Sequence, residues 1–271
     1  MLTQRLLVTV VLLPVGLAVI HFGGWVYAAF ITVLLGVAAW ELGGLFRADG
    51  SQASSGLIVA GTVALALGRQ ADQFESAPWI LLIFVLTSMA YHLVNYERGR
   101  NKAATDLSIT LAGGLYIGWL GAYLISLRVL PDGKWWLLVV LPAVWLADGG
   151  AYFIGRAFGK HKMAPRLSPN KSWEGYFAGI LAGTVGTAGL AALWRLSAGQ
   201  ASAVTPELGA LIGFLLAIIT PLGDLGESMI KRQVGAKDSS HLLPGHGGML
   251  DRMDTWLWAA PIGYYLILLL T

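Results

Sequence analysis

Composition sets the class of this 271-residue chain, because 56% of its residues are hydrophobic, 12% are charged and none is cysteine. Soluble globular domains carry roughly 25% charged residues, so this balance excludes disorder and argues against a water-soluble domain. Without cysteine there is no disulfide framework and no thiolate metal site, so any metal must be bound by oxygen or imidazole ligands. In a membrane protein the placement of positive charge indicates orientation, so the net charge of +3 is not taken as a sign of nucleic-acid binding. No nucleic-acid partner is expected.

The hydrophobic segments predict an all-α, polytopic integral membrane protein. A bilayer core about 30 Å thick needs roughly 20 apolar helical residues to cross it. Nine spans of this kind are predicted, at residues 6–22, 25–46, 55–68, 78–95, 107–127, 135–155, 174–195, 207–225 and 254–271. The third is short and rich in Gly and Ala, which leaves eight spans as the alternative. We expect residues 1–134 to form an N-terminal transmembrane region and residues 135–271 to form the catalytic region.

The distribution of positive charge predicts the orientation. With nine spans and a cytoplasmic N-terminus, 14 of the 18 lysines and arginines lie on the cytoplasmic side. The positive-inside rule therefore favours this topology. No small-residue cleavage pattern follows the first apolar segment, so we interpret it as an uncleaved helix.

Three glycines recur at four-residue spacing along the seventh span, at Gly175, Gly179 and Gly183. This spacing places small residues on one helix face, where a neighbouring backbone can approach closely. Several of the eleven tryptophans lie near predicted span ends, as expected of an aromatic belt at the membrane interface. Both patterns are predicted to be structural.

The first stretch rich in polar residues runs from Asp148 to Glu174. Asp148 lies in an otherwise apolar span, where a charge costs about 2.5–3.5 kcal/mol, so a compensating cation or a water-filled cavity is expected. A helix–helix hydrogen bond or salt bridge is the structural alternative. The residues before the seventh helix combine capping groups, backbone N–H groups and a lysine, which suits a phosphate. The predicted phosphate-binding residues here are Ser168, Asn170, Lys171 and Ser172, with an ordinary N-cap as the alternative.

The second stretch runs from Thr220 to Asp254 and carries the densest set of charges. Its helix is predicted to be interrupted near Pro221 and Gly223. Irregular backbone at membrane depth is tolerated only when it is buried in protein or lines a wet cavity, so we expect Asp224 to border a cavity.

Acidic and basic side chains alternate through this second stretch. Carboxylate oxygens are hard ligands that Mg²⁺ accepts together with substrate phosphates and water, and the candidates are Asp224, Asp238, Asp251 and Asp254. Cations that can neutralise phosphates are Lys231, Arg232, Lys237 and Arg252. The pattern favours a metal–phosphate site over a solvated loop with juxtamembrane charge.

A His246-Gly247-Gly248 run lies between these charges. Glycines at this point allow close approach of the backbone to a ligand and a positive φ, although such a run is often only a turn.

Residues Ser228 to Asp254 resemble, position for position, the signature of the phosphatidate cytidylyltransferase (CDP-diacylglycerol synthase) family. The pattern reads Ser-x-hydrophobic-Lys-Arg, four residues, Lys-Asp, and later Pro-x-His-Gly-Gly-hydrophobic-x-Asp-Arg-hydrophobic-Asp. The Ser-Pro-Asn-Lys-Ser-x-Glu-Gly core of residues 168–175 is also similar to this family. The N-terminal half contributes hydrophobicity but no specific motif.

The resemblance implies transfer of a cytidylyl group from CTP to phosphatidate, with Mg²⁺ as cofactor. It also implies that Asp224 and Asp251 hold a metal pair, in which a monovalent ion such as K⁺ can take one place. The implied catalytic residues are Asp224, Lys231, Arg232, Lys237, Asp238, His246, Asp251 and Arg252. The implied phosphate and substrate contacts are Ser168, Asn170, Lys171, Ser172, Ser228, Gly247, Gly248 and Asp148.

Two other function classes stay open at this point. A transporter or flippase of phosphorylated lipids would also use intramembrane carboxylates and broken helices, and a membrane lipid kinase, or a transferase acting on another phospholipid acceptor, would also bind nucleotide. Clustering of both charge signs at one membrane face argues against the transporter. The expected partners are CTP, phosphatidate and the lipid bilayer of a bacterial inner membrane, with the active site facing the cytoplasm. A homodimer is left open.

Overall fold

The structure, a computed structural model, describes residues 2–243, 245 and 247–271. Helices form nearly all of the regular structure in these residues, as the composition predicts. The N-terminal helices are α1 Leu2–Phe22, α2 Gly24–Ala48, α3 Ser55–Asp72, α4 Ala77–Glu97, α5 Ala103–Gly113, a π-helical segment Gly114–Trp119, and α6 Leu120–Val129. The later elements are α7 Gly133–Phe158, β1 Lys162–Ala164, β2 Ser168–Ser172, α8 Trp173–Ala198, α9 Pro206–Ile219, α10 Pro221–Gln233, α11 Leu250–Met253 and α12 Trp256–Leu270.

The all-α prediction omitted one feature, an antiparallel hairpin formed by β1 and β2. In this hairpin Lys162 pairs with Ser172 and Ala164 pairs with Ser168. The strands are three and five residues long. Segments this short carry no periodicity that distinguishes them from a loop.

Seven helical stretches in the described part of the chain are long and apolar enough to cross a membrane. They are Gly24–Ala48, Ala77–Glu97, Ala103–Val129, Gly133–Phe158, Trp173–Ala198, Pro206–Gln233 and Leu250–Leu270. Each overlaps one of the nine predicted spans. The first and third predicted spans are helical but are not among the seven, so the count of nine is not confirmed. The third corresponds to α3, whose C-terminal turn carries Arg69 and Asp72 and is therefore more polar than a span.

The chain divides into two compact units. The N-terminal unit comprises Met1–Ser126 and Lys231–Met253, and the C-terminal unit comprises Leu127–Ile230 and Asp254–Thr271. Most of the signature is therefore grouped with the N-terminal helices, where α11 packs against α2. The N-terminal unit is built on fully buried aliphatic side chains, which include Leu35, Ile58, Leu65, Ile117 and Leu124.

A buried carboxylate, Asp106, ties the α2–α3 loop to α5 within the N-terminal unit. Asp106 Oδ1 accepts hydrogen bonds from the Ser51 hydroxyl at 2.7 Å and from the Gln52 backbone N–H at 2.9 Å. Arg100 Nε donates to Asp106 Oδ2 at 2.7 Å. Because the carboxylate is only 1% exposed, these donors replace the water that it would otherwise bind.

In the C-terminal unit, α7, α8 and α9 pack through small residues. A Cβ added to Gly179 would lie 2.8 Å from the carbonyl oxygen of Ala147 in α7, and one added to Gly183 would lie 3.0 Å from Ala217 Cβ in α9. Gly175 is equally close to the α7 backbone. The predicted packing role of these three glycines is confirmed.

A methyl group on Gly179 should weaken this packing. Because its nearest neighbour is backbone rather than a flexible side chain, Gly179→Ala must push α7 and α8 apart, and overpacking of this kind costs about 1–3 kcal/mol. We expect a lower melting temperature in detergent. The matched control is Gly189→Ala on the same helix, where an added Cβ meets nothing within 4 Å. Equal melting temperatures for the two variants would contradict the packing role.

Candidate active site

The C-terminal unit carries the predicted helix interruption. Helix α9 ends at Ile219 and α10 begins at Pro221, whose ring nitrogen has no hydrogen to continue the helical hydrogen bonds. Gly223 lets this turn pack closely, since an added Cβ would lie 2.8 Å from the carbonyl oxygen of Asp254. Asp224 consequently occupies the first turn of α10, where the helix dipole favours a negative charge.

Asp224 lies at the centre of a small charged cluster in the C-terminal unit. Lys171 Nζ lies 2.5 Å from Asp224 Oδ2, and the Ser228 hydroxyl donates to Asp224 Oδ1 at 3.4 Å. Asp148, from α7, is close enough to interact electrostatically with Lys171 and Asp224. Lys171 is therefore the candidate for the compensating cation expected near Asp148, although its direct ion pair is with Asp224. Four residues predicted from separate stretches of sequence are brought together here.

Lys171 is positioned in this cluster by the β1–β2 hairpin. Lys171 is the fourth residue of β2, and Ser172 ends the strand and caps α8 by accepting a hydrogen bond from the Gly175 backbone N–H at 3.2 Å. The Ser172 side chain is therefore engaged as an N-cap, the structural alternative for this residue. Ser168 is half-buried and Asn170 is exposed on the same strand.

The N-terminal unit carries a second cluster around Asp251, on α11. The carboxylate is 5% exposed, and its Oδ1 accepts from Lys231 Nζ at 2.6 Å. Its Oδ2 accepts from the backbone N–H groups of Ser239 at 2.8 Å and Gly248 at 2.7 Å. Charge-assisted hydrogen bonds of this kind hold a buried carboxylate that would otherwise be costly. The structure brings Lys231, Gly248 and Asp251 together, three residues that the resemblance assigns to the site.

Sequence reasoning missed the other carboxylate of this cluster, Glu41 of α2, which is 6% exposed. Glu41 Oε1 accepts from the Ser240 hydroxyl at 2.6 Å and from Met249 N–H at 3.0 Å. Glu41 Oε2 accepts from Leu250 N–H at 2.8 Å and from the Ser239 hydroxyl at 3.1 Å. The available signal was an acidic residue inside an otherwise apolar span, the same signal that singled out Asp148.

Glycines determine the backbone conformation of the segment between Ser240 and Met249, residues 241–248, which we call the glycine loop. Gly245 and Gly247 both have a φ of +77°, a conformation that L side chains rarely adopt, so the predicted use of positive φ is confirmed. Leu243 N–H donates to the Gly247 carbonyl oxygen at 2.9 Å and closes the loop. His246 lies outside the described residues, so its predicted catalytic role stays a prediction.

Of the remaining charged residues of the signature, Asp254 is only 8% exposed, whereas Arg232, Lys237, Asp238 and Arg252 are exposed. Arg232 Nη1 donates to the Ala236 carbonyl oxygen at 3.0 Å, beyond the end of α10. Lys237, Asp238 and Arg252 are exposed on the N-terminal unit. Because Arg232, Lys237, Asp238 and Arg252 are exposed, substrate can reach them, as their predicted role requires.

The donor groups fit a magnesium ion that is completed by substrate. No group of three or more acidic or imidazole side chains gathers around a common point in the part of the chain that the structure describes. Mg²⁺ commonly takes only one or two protein carboxylates and fills its octahedron with phosphate oxygens and water. Asp224 is 35% exposed and retains room for such a ligand, whereas Asp251 Oδ2 already accepts two backbone hydrogen bonds and lies 2.9 Å from the Ser239 hydroxyl. Asp251 Oδ1 accepts from the Lys231 ammonium at 2.6 Å, so a metal ion bound there would have to share this oxygen with Lys231.

Comparison with known proteins gives the family. A sequence model described as the cytidylyltransferase family matches residues 3–270. The chain is 39% identical to a phosphatidate cytidylyltransferase of Pseudomonas aeruginosa, over 97% of this chain and 95% of that protein. It is 30% identical to a phosphatidate cytidylyltransferase of Synechocystis sp., over 99% of this chain and 97% of that protein. A Bacillus subtilis protein of the same name is 41% identical over 59% of this chain and 58% of its own length. Since the match covers nearly every residue, the chain belongs to the cytidylyltransferase family.

Proposed function

We propose that this protein transfers the cytidylyl group of CTP to phosphatidate, producing CDP-diacylglycerol and pyrophosphate for phospholipid biosynthesis. The observation that carries the proposal is the near full-length match to two phosphatidate cytidylyltransferases, which includes the whole of residues 228–254. This family transfers nucleotidyl groups, so a transporter and a lipid kinase are no longer competing functions.

The reaction is a displacement at the α-phosphorus of CTP. An oxygen of the phosphatidate phosphate forms the new bond to this phosphorus, and the bond from the α-phosphorus to the oxygen bridging it to the β-phosphate breaks. Pyrophosphate leaves with the electron pair of that bond. Because the attacking phosphate is already anionic, the enzyme must supply alignment and charge neutralisation more than a general base. No covalent enzyme intermediate is required.

Two lysines are the proposed phosphate-binding groups. Lys171 and Lys231 are each held by a carboxylate, at 2.5 Å from Asp224 and 2.6 Å from Asp251 respectively. An ion pair of this kind fixes a flexible lysine before substrate arrives, which lowers the entropy cost of binding phosphate. The exposed Arg232, Lys237 and Arg252 are proposed to neutralise the departing pyrophosphate. Asp238 and His246 are kept as proposed catalytic residues on the signature alone.

Magnesium is the proposed cofactor, with Asp224 and Asp251 as its protein ligands and K⁺ as an alternative occupant of a second position. When bound, the ion neutralises charge on the nucleotide phosphates. Removal of divalent metal with EDTA is expected to stop product formation, and added Mg²⁺ should restore it.

The proposed topology has nine spans, a cytoplasmic N-terminus and an active site facing the cytoplasm of a bacterial cell. The proposed regions are an N-terminal transmembrane region, 1–134, and a catalytic region, 135–271. The support is the distribution of lysine and arginine, with 14 of 18 on one side.

The disputed third span can be tested directly, because the chain contains no cysteine. Single-cysteine variants at Asp49 and Lys102 flank the segment that holds α3 and α4. If both helices cross, a membrane-impermeant maleimide should label neither position in intact cells and both after lysis. Labelling of only one position in intact cells would show that α3 does not cross.

The function itself is tested by pyrophosphate release from purified protein in mixed detergent micelles. Release should require phosphatidate, CTP and Mg²⁺ together. Reactions with ATP in place of CTP, without lipid, or without metal are the controls and should release none. Product formation from ATP, or failure under conditions in which a related cytidylyltransferase is active, would contradict the proposal.

A further inference from the structure

We infer that Glu41 is a positioning residue, which holds the segment from Ser239 to Asp251 in the geometry that catalysis uses. The inference rests on the proposed function for its kinetic readout. Glu41 lies 198 residues from Ser239 in sequence, in a helix that carries no part of the family signature. Glu41 does not contact the reacting groups of the proposed cytidylyl transfer. It acts through Asp251 and the glycine loop.

The contacts of Glu41 bracket the glycine loop on both sides. Two of its hydrogen bonds come from the hydroxyls of Ser239 and Ser240, before the loop, and two come from the backbone N–H groups of Met249 and Leu250, after it. Both carboxylate oxygens therefore accept one bond from each side. A single side chain thus fixes the distance between the two ends of the loop.

Glu41 is coupled to Asp251 through shared neighbours. The Ser239 hydroxyl lies 3.1 Å from Glu41 Oε2 and 2.9 Å from Asp251 Oδ2, and its single proton can be donated to only one of them at a time. The Ser239 backbone N–H, at 2.8 Å, also donates to Asp251. Displacement of Ser239 therefore alters both carboxylates. Such outer partners orient metal-binding groups, and their loss typically costs about 10–100-fold in affinity or activity.

Gly248 provides independent evidence that the close contact between Glu41 and the end of the glycine loop is specific. An added Cβ at Gly248 would overlap the Ser239 hydroxyl oxygen most closely, and would lie 2.6 Å from Glu41 Oε2 and 2.8 Å from Oε1, all closer than real Cβ contacts. The glycine at this signature position thus leaves the space that the Glu41 carboxylate and the Ser239 hydroxyl bonded to it occupy. A signature residue and a residue outside the signature therefore fit one another.

The test compares Glu41→Gln with Asp106→Asn, because both remove one buried carboxylate from the N-terminal unit. The amide of Glu41→Gln keeps one acceptor oxygen and turns an NH₂ group toward hydrogen-bond donors. We expect kcat to fall about tenfold, the Mg²⁺ concentration for half-maximal activity to rise severalfold, and the KM for phosphatidate to change less than about twofold. Asp106→Asn should lower the melting temperature and leave the Mg²⁺ dependence unchanged, since its partners lie in the α2–α3 loop and Arg100.

A second readout does not depend on activity. Hydrogen–deuterium exchange of the metal-free protein should accelerate in peptides covering residues 238–251 of Glu41→Gln, and should be unchanged there in Asp106→Asn. The conservative variant Glu41→Asp, which keeps both acceptor oxygens, should recover part of the protection and part of kcat. It also replaces Glu41→Gln in both tests if that variant does not fold.

The outcomes separate this inference from the proposed function. An inactive wild-type protein would refute the function, and exchange alone would then decide whether Glu41 orders the loop. With an active wild type, unchanged Mg²⁺ dependence and unchanged exchange in Glu41→Gln would overturn the positioning role. Equal changes in Glu41→Gln and Asp106→Asn would also overturn it, because they would indicate a general structural contribution.

Discussion

Asp251→Asn is expected to lower turnover roughly 1,000-fold, the scale seen when a central electrostatic group is removed from an active site. Asparagine keeps one oxygen, but its NH₂ group must face either the Lys231 ammonium or the N–H groups of Ser239 and Gly248. Either orientation leaves buried donors without an acceptor and removes the charge proposed to bind metal. Pyrophosphate release at saturating CTP and Mg²⁺ measures the loss, with detergent extraction and melting temperature as checks of folding.

Asp224→Asn should give a comparable loss for a related reason, since it removes the anion that holds Lys171 and a proposed metal ligand. The matched control for both is Asp49→Asn, an exposed aspartate after α2 that should retain full activity. Unchanged turnover in both Asp224→Asn and Asp251→Asn would contradict the metal assignment. A loss in Asp49→Asn as well would indicate a non-specific effect of removing negative charge.

Local sequence patterns predicted the features that depend on local chemistry. Proline at 221 ends the preceding helix because it lacks an N–H, and glycines at four-residue spacing form one face of α8, wherever the partner helices lie. Each of these required only residue type and spacing.

The features that were missed depend on tertiary contacts. An acidic residue in an apolar span signals a compensated charge, but no spacing rule indicates that Glu41 of α2 meets backbone groups some two hundred residues later. The nine-span count was uncertain for a similar reason. Helix α3 contains three glycines and four β-branched residues, so packing against α2 stabilises it more than propensity does, and a helix packed in this way need not cross the bilayer.

Gly248→Ala is expected to lower kcat about 100-fold, which corresponds to about 2.7 kcal/mol at the transition state. The new methyl group would overlap the Ser239 hydroxyl and the Glu41 carboxylate, and the carboxylate cannot withdraw without losing the Met249 and Leu250 N–H bonds. The backbone at 248 must therefore move, and the 2.7 Å bond from its N–H to Asp251 is lost. The control is Gly56→Ala in α3, where an added Cβ would lie no closer than 4.0 Å to a neighbour and activity should be unchanged.

Comparison with Glu41→Ala separates steric overlap from a direct need for glycine at position 248. If the methyl group acts by displacing Glu41, much of its cost is already incurred when the carboxylate is removed, so the two substitutions should be strongly less than additive in the double variant Glu41→Ala/Gly248→Ala. Full additivity in log kcat would mean that Gly248 acts independently of Glu41, through the Ser239 hydroxyl or through substrate or metal. The coupling energy between these two substitutions therefore measures how far a carboxylate outside the signature determines the geometry of the glycine within it.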